Sequence, residues 1–308
     1  SQPFGGHSSN RQDGPAGTRG LRIVDVPFDP AELTVDLEQF RIIAQAVQPK
    51  LVVLGMSMTL FPLPVTEISE IIAEWGGRFI FDGAHQMGLI AGGQFQDPLR
   101  EGAAVLMGSA GKTFSGPQSG MMVWNDPQLT QPLADTIFPA LVATNQVNRV
   151  AALAVAAAEN LEFGQPYMAQ IVRNAQTLAE ALDERGIPVL GSHKGYTRTH
   201  QAIADVGAFG GGMETAFKLA RANLITNKNL LPSDRREDWD RPNGLRMGTI
   251  EVTRLGMAEA EMNQIADFIA RILVHGEEPE RVGREVEEFR RPFQTIYYCF
   301  ENGLPAQA

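Results

Sequence analysis

The chain has 308 residues, 44% hydrophobic and 20% charged, enough for a full core shared by two domains or one large one. Its 36 acidic and 26 basic residues leave a formal net charge of −10, and no run of lysine and arginine offsets it locally, which argues against a nucleic-acid partner. One cysteine, Cys299, excludes an internal disulfide, and five histidines without HExxH-like spacing give no metal site. The absence of any stretch of 18 apolar residues gives no membrane span, so a cytoplasmic protein is expected.

The chain opens without methionine on the glycine-rich, polar "SQPFGGHSSNRQDGPAGTRG", which predicts either a disordered tail or a chain cut upstream. Short apolar segments then alternate with amphipathic ones. "LRIVDVPF" (21–28), "KLVVLGMS" (50–57), "RFIFDGAH" (78–85) and "AAVLMGSA" (103–110) read as strands. Between them, "LTVDLEQFRIIAQAV" (33–47) and "VTEISEIIAEWG" (65–76) carry apolar residues at helical spacing. Apolar strands separated by helices predict an α/β fold with a mostly parallel sheet. Beyond Trp124 two long helices are predicted, 146–164 and 166–186, broken at Gly164-Gln165-Pro166. Strands and helices mix after that, up to a charge-dominated tail from Glu277 that predicts a solvated helix. The expected organisation is a large domain over 1–145, a linking helix over 146–164 and a smaller α+β domain over 165–308.

In parallel sheets ligands sit at the carboxyl ends of the strands. Three predicted strand ends therefore matter: Ser57, then Asp82 with His85, then Lys112 in "GSAGKTFSGPQSG". The "GKT" is not a P-loop, because Leu106 stands where that motif needs a glycine, and Gly116, Pro117 and Gly120 exclude the helix that must follow. A turn lysine at the surface is one reading of Lys112. Another is a Schiff-base amine, with Asp82 as the carboxylate that keeps a pyridine nitrogen protonated; pyridoxal 5'-phosphate (PLP) needs such a pair. Asp82 also suits the N-cap of a helix beginning at Ala84.

"FDGAHQMGLIAGG" followed by "GSAGKTFSGPQSG" resembles the two segments that flank the cofactor in serine hydroxymethyltransferases. "FGGH" (4–7), "LGMSMTLFP", "LITNKNLLP" (224–232) and "GLRMGTIEVTRLGM" (244–257) resemble further family segments, in the family's order. The resemblance implies a PLP-dependent transferase of fold type I acting on an amino acid, by reversible serine/glycine carbon–carbon cleavage with one-carbon transfer or by a related aldolase reaction. It implies that Lys112 carries the cofactor, that Asp82 pairs with its ring nitrogen, that His85 lies beside its phenolic side, that His7 stacks on its face and that Ser57 bonds near the same oxygen. It makes Arg246 the grip on the substrate's α-carboxylate and leaves His200, at the start of a small-domain strand, without a defined part. It further implies a homodimer.

Four positions depart from the family pattern. Gly111 stands where a histidine normally precedes the lysine, and Ser8 stands where a leucine lines the folate pocket, which puts tetrahydrofolate binding in doubt. "FPALVATNQ" (138–146) replaces the glycine-rich segment that reaches the neighbouring subunit's phosphate. The resemblance also begins inside the large domain, so the chain is expected to be a fragment, one half of a split enzyme or a degenerate copy. The alternatives are another fold-type-I PLP enzyme, a β-lyase or aminotransferase, or a non-catalytic subunit completed by an N-terminal partner.

Overall fold

A computed structural model describes residues 4–300, the Ser8 side chain apart. The chain packs as two compact units. The first comprises Val35–Met56 and Leu63–Gln165; the second comprises the described residues of Ser1–Thr34, Ser57–Pro62 and Pro166–Ala308.

The first unit starts at helix α1 (Leu37–Val47), whose first turn is capped by Asp36 accepting from the Gln39 amide at 3.0 Å. Strand β1 (Leu51–Leu54), helix α2 (Val65–Ala73), strand β2 (Arg78–Asp82), the short helix α3 (Met87–Ala91), strand β3 (Val105–Ser109) and strand β4 (Gly120–Val123) follow. The sheet order is β1-β2-β3-β4, parallel except for the last pair. That exception has a simple cause. The "AGKTFSGPQS" connection between β3 and β4 contains no crossover helix, and a parallel return needs one. Val52, Leu54, Phe79, Phe81 and Leu106 bury one side of the sheet and Val105 is buried on the other, while Ile68, Ile71 and Ile72 of α2 are buried too.

Helix α4 runs unbroken over Val147–Glu184. The predicted break at Gly164-Gln165-Pro166 does not occur, although Pro166 lies inside the helix. A helix-interior proline costs about 3 kcal/mol through one lost hydrogen bond and a steric clash. The turns that follow it bury Tyr167, Met168, Ile171, Ala175 and Leu178, which is enough to offset that cost.

The second unit adds strand β5 (Gln201–Asp205), helix α5 (Gly211–Ala220), strand β6 (Asn227–Asn229), strand β7 (Gly244–Gly248) and helices α6 (Glu259–Leu273) and α7 (Pro279–Arg290). Its sheet is antiparallel in the order β5-β7-β6, with Ile203 opposite Arg246. The core combines Ala202, Ala204, Leu245 and Met247 of the sheet with Leu219, Met262, Ile269 and Val282 of the helices.

Two sequence expectations change here. The predicted strand at 21–28 is reduced to a two-residue strand at Phe28–Asp29. Gln12 takes the place of a neighbouring strand: its amide donates to the Leu21 carbonyl at 3.1 Å and its oxygen accepts from the Ile23 amide at 3.0 Å. The opening segment is described from Phe4 onward, with one short helix at Pro15–Thr18, while its first three residues lie outside the described ones. The tail helix α7 is not solvated all round, because Pro279, Val282, Gly283 and Val286 share one buried face at helical spacing.

Candidate active site

Three of the sequence-derived site residues fall in the first unit. Asp82 closes strand β2, and its Oδ1 accepts from the Ala84 amide at 3.1 Å. This is a local turn rather than a helix cap, since α3 starts only at Met87. A side chain at Gly55, just past β1, would collide with the Asp82 carbonyl, so glycine there lets the two strand ends close up. His85 sits in the turn after β2, and Lys112 in the turn after β3; both are half-buried. Lys112 Nζ lies 3.2 Å from His85 Nε2.

Thr113 explains how two separate turns hold that distance. Its hydroxyl donates to the His85 carbonyl and accepts from the Gly88 amide, each at 2.9 Å, and the residue is fully buried. A side chain at Gly88 would strike the Thr113 carbonyl, so α3 can approach the lysine turn only at a glycine. The turn is closed by Gly116 N–H to the Ala110 carbonyl at 2.8 Å and pinned from α4 by Asn160 donating to the Phe114 carbonyl at 2.8 Å. In "GKT" Thr113 is only the residue after the lysine; its hydrogen bonds make it the clamp.

The remaining three fall in the second unit. Arg246, on β7, donates through Nη1 to the Ser57 carbonyl at 2.8 Å. No carboxylate faces it among the described residues, and burial alone pushes its guanidinium pKa down. Ser57 takes part through its backbone, its amide donating to the Gly5 carbonyl at 2.7 Å. That bond ties the "FGGH" segment to Ser57. His7 is exposed, its Nδ1 2.7 Å from Ser9 Oγ. His200 is buried in "THQAI", and its carbonyl accepts from the Thr249 amide at 3.1 Å. No motif points to Gln201, whose side chain reaches the Ser57–Thr59 segment; the available signal was a polar residue at the head of an apolar strand.

Among the described residues no His, Cys, Asp or Glu group could hold a metal ion, and no helix is long and apolar enough to cross a membrane. An aspartate, a histidine and a lysine presented at the carboxyl ends of adjacent parallel strands are the arrangement of an α/β enzyme site. The serine hydroxymethyltransferase family profile matches residues 5–269. A serine hydroxymethyltransferase of Methanocella arvoryzae is 45% identical over 299 residues, covering 97% of this chain and 70% of the relative. One of Thermococcus kodakarensis is 45% identical over 306 residues, covering 98% and 71%. The crystal structure of an L-threonine transaldolase from Pseudomonas fluorescens, in its internal aldimine state, superposes with a TM-score of 0.89 at 29% identity, covering 98% of this chain and 68% of that one. The chain belongs to the serine hydroxymethyltransferase family.

Proposed function

We propose that this protein is a PLP-dependent enzyme that makes or breaks a carbon–carbon bond of a β-hydroxy-α-amino acid, as serine hydroxymethyltransferases do. The observation that carries the reading is the Lys112–His85 pair at 3.2 Å, with Asp82 on the adjoining strand end. These residues fit the cofactor in chemistry: an amine for its aldehyde and a carboxylate for its ring nitrogen. PLP, when bound, supplies the electron-withdrawing ring that makes a bond to the substrate's α-carbon weak.

The chain's own groups do the rest. Lys112 would hold the cofactor through its amine, and the His85 ring nitrogen 3.2 Å away offers a place for the proton that this amine gives up. Asp82 would pair with the cofactor's ring nitrogen, and the Ala84 N–H bond fixes the direction of its carboxylate. Arg246 binds the substrate's α-carboxylate with its planar fork, a geometry lysine lacks. Its lack of an acidic partner leaves it suited to an incoming anion. His7 and Ser57 are assigned to the cofactor's face and its phenolic oxygen by family resemblance alone. The likeness to an L-threonine transaldolase favours a second reading, aldol chemistry without folate, and the serine at position 8 is in keeping with it.

The proposal extends to assembly as a homodimer. In the first unit Ile137, Phe138, Leu141, Val142, Val147 and Val150 are exposed within one stretch of 14 residues, apolar surface that a second copy would cover. The test is PLP-dependent release of glycine from L-serine and from L-threonine, with and without tetrahydrofolate. Serine cleavage that needs folate supports the transferase reaction, and folate-independent threonine cleavage supports the aldolase. Neither activity in PLP-saturated protein overturns the proposal.

A further inference from the structure

The Ser57 carbonyl accepts two hydrogen bonds, one from Arg246 Nη1 at 2.8 Å and one from Gln201 Nε2 at 2.9 Å. The other end of the Gln201 amide, Oε1, accepts from the Thr59 amide at 3.1 Å. Thr199 Oγ1 donates to the Thr59 carbonyl at 2.7 Å. Two side chains at the head of β5 thus hold Ser57 and Thr59, on either side of Met58, by their backbone. Gln201 and Thr199 are both buried, so each polar atom they expose to that segment needs its partner there. The amide direction is fixed by the partners: turned over, its NH2 would face the Thr59 N–H and its oxygen the Ser57 oxygen.

We infer that Gln201 is a positioning residue for Arg246. By gripping Ser57 and Thr59 it fixes the carbonyl against which the guanidinium rests, and so aims the guanidinium at a substrate carboxylate. β5 and β7 are paired with Ile203 opposite Arg246, so glutamine and arginine lie on neighbouring strands and share the one carbonyl. A guanidinium held on one edge keeps the plane of its other N–H groups in one orientation, which lowers the ordering cost of binding a carboxylate. This inference rests on the reading of Arg246 as the carboxylate-binding residue.

The test uses the full chain loaded with PLP and measures equilibrium binding of glycine and of methylamine, which lacks the carboxylate, together with the melting temperature. Gln201→Met removes both polar ends, and Gln201→Glu keeps the shape. A protonated glutamic acid donates to the Ser57 carbonyl and accepts from the Thr59 amide as the glutamine does, whereas its ionised form cannot donate. The expected result is glycine binding weakened about tenfold in both variants at pH 8, with methylamine unchanged, the size of one charge-assisted hydrogen bond. For Gln201→Glu the ratio to wild type should return toward one as the pH falls, which a merely structural role would not produce. Gln201→Glu carries the test by itself if Gln201→Met does not fold. Unchanged glycine binding in folded variants, with Arg246→Ala losing the preference for glycine over methylamine, overturns this inference and leaves the function standing. Arg246→Ala that keeps the preference overturns both.

Discussion

Lys112 Nζ and His85 Nε2 lie 3.2 Å apart, although 27 residues separate them in the chain and each sits on its own turn. The distance is set by two parallel strands, with Asp82 opposite Met107, and by one threonine hydroxyl between the turns. If His85 takes up the lysine's proton, replacing it changes the rate more than the stability. His85→Ala is expected to lower kcat by about 100-fold, the lower end of general acid–base catalysis, with the melting temperature little changed; steady-state kinetics and a thermal melt check this.

Thr113 is the clamp. Thr113→Val strands the Gly88 N–H and the His85 carbonyl in a buried setting, which costs about 1–3 kcal/mol for an unsatisfied group. Urea unfolding should show that loss, and Thr113→Ser should recover most of it. Full stability in the valine variant would mean that other contacts hold the turns.

Arg246 predicts a conflict between stability and function. It is partly buried without a carboxylate partner, so an apolar residue of similar length suits its surroundings as well or better. Arg246→Met is expected to melt at or above the wild-type temperature while losing amino-acid binding. Arg246→Lys keeps the charge but not the fork and should raise KM by roughly 10- to 100-fold, as for the loss of one charged hydrogen bond.

In the second unit one arginine holds two carboxylates. Arg271 donates to both oxygens of Glu277, at 2.9 Å each, and to both of Glu285, at 2.7 and 2.8 Å. The hydrogen bonds from Arg271 hold both carboxyl groups below the usual carboxylate range, and the same bonds push the arginine up. A carboxyl whose pKa is depressed by folding adds stability above its unfolded value and loses it as the pH falls through the folded value. The network should therefore act fully at neutral pH and fade as the pH falls below about 4.5. In Arg271→Met, melting temperatures between pH 3 and 7 are expected to show a shallower acid decline than in wild type.

Much of this was legible in the sequence because the decisive signals are local. The apolar runs of β1 to β3 and the glycine after α2 place the strand ends, and the ends of β2 and β3 carry Asp82 and the Lys112 turn, whereas Ser57, expected at the end of β1, falls in the second unit. What the sequence does not carry is pairing across distance. Nothing local says that Thr113 bridges to His85 or that Gln201 reaches back 144 residues to Ser57. The stop expected at Pro166 and the strand expected at 21–28 both failed for a related reason. Burial beyond the proline outweighed its local penalty, and a glutamine side chain supplied the hydrogen bonds that a partner strand would have made.

The central claim is that Lys112 is the amine that carries PLP. Its most direct test is to load the full chain with PLP, reduce with borohydride, digest and map the adduct by mass spectrometry. A single reduced adduct is expected on the peptide containing Lys112, lost in Lys112→Ala. An adduct on another lysine, or none at saturating PLP, would contradict it.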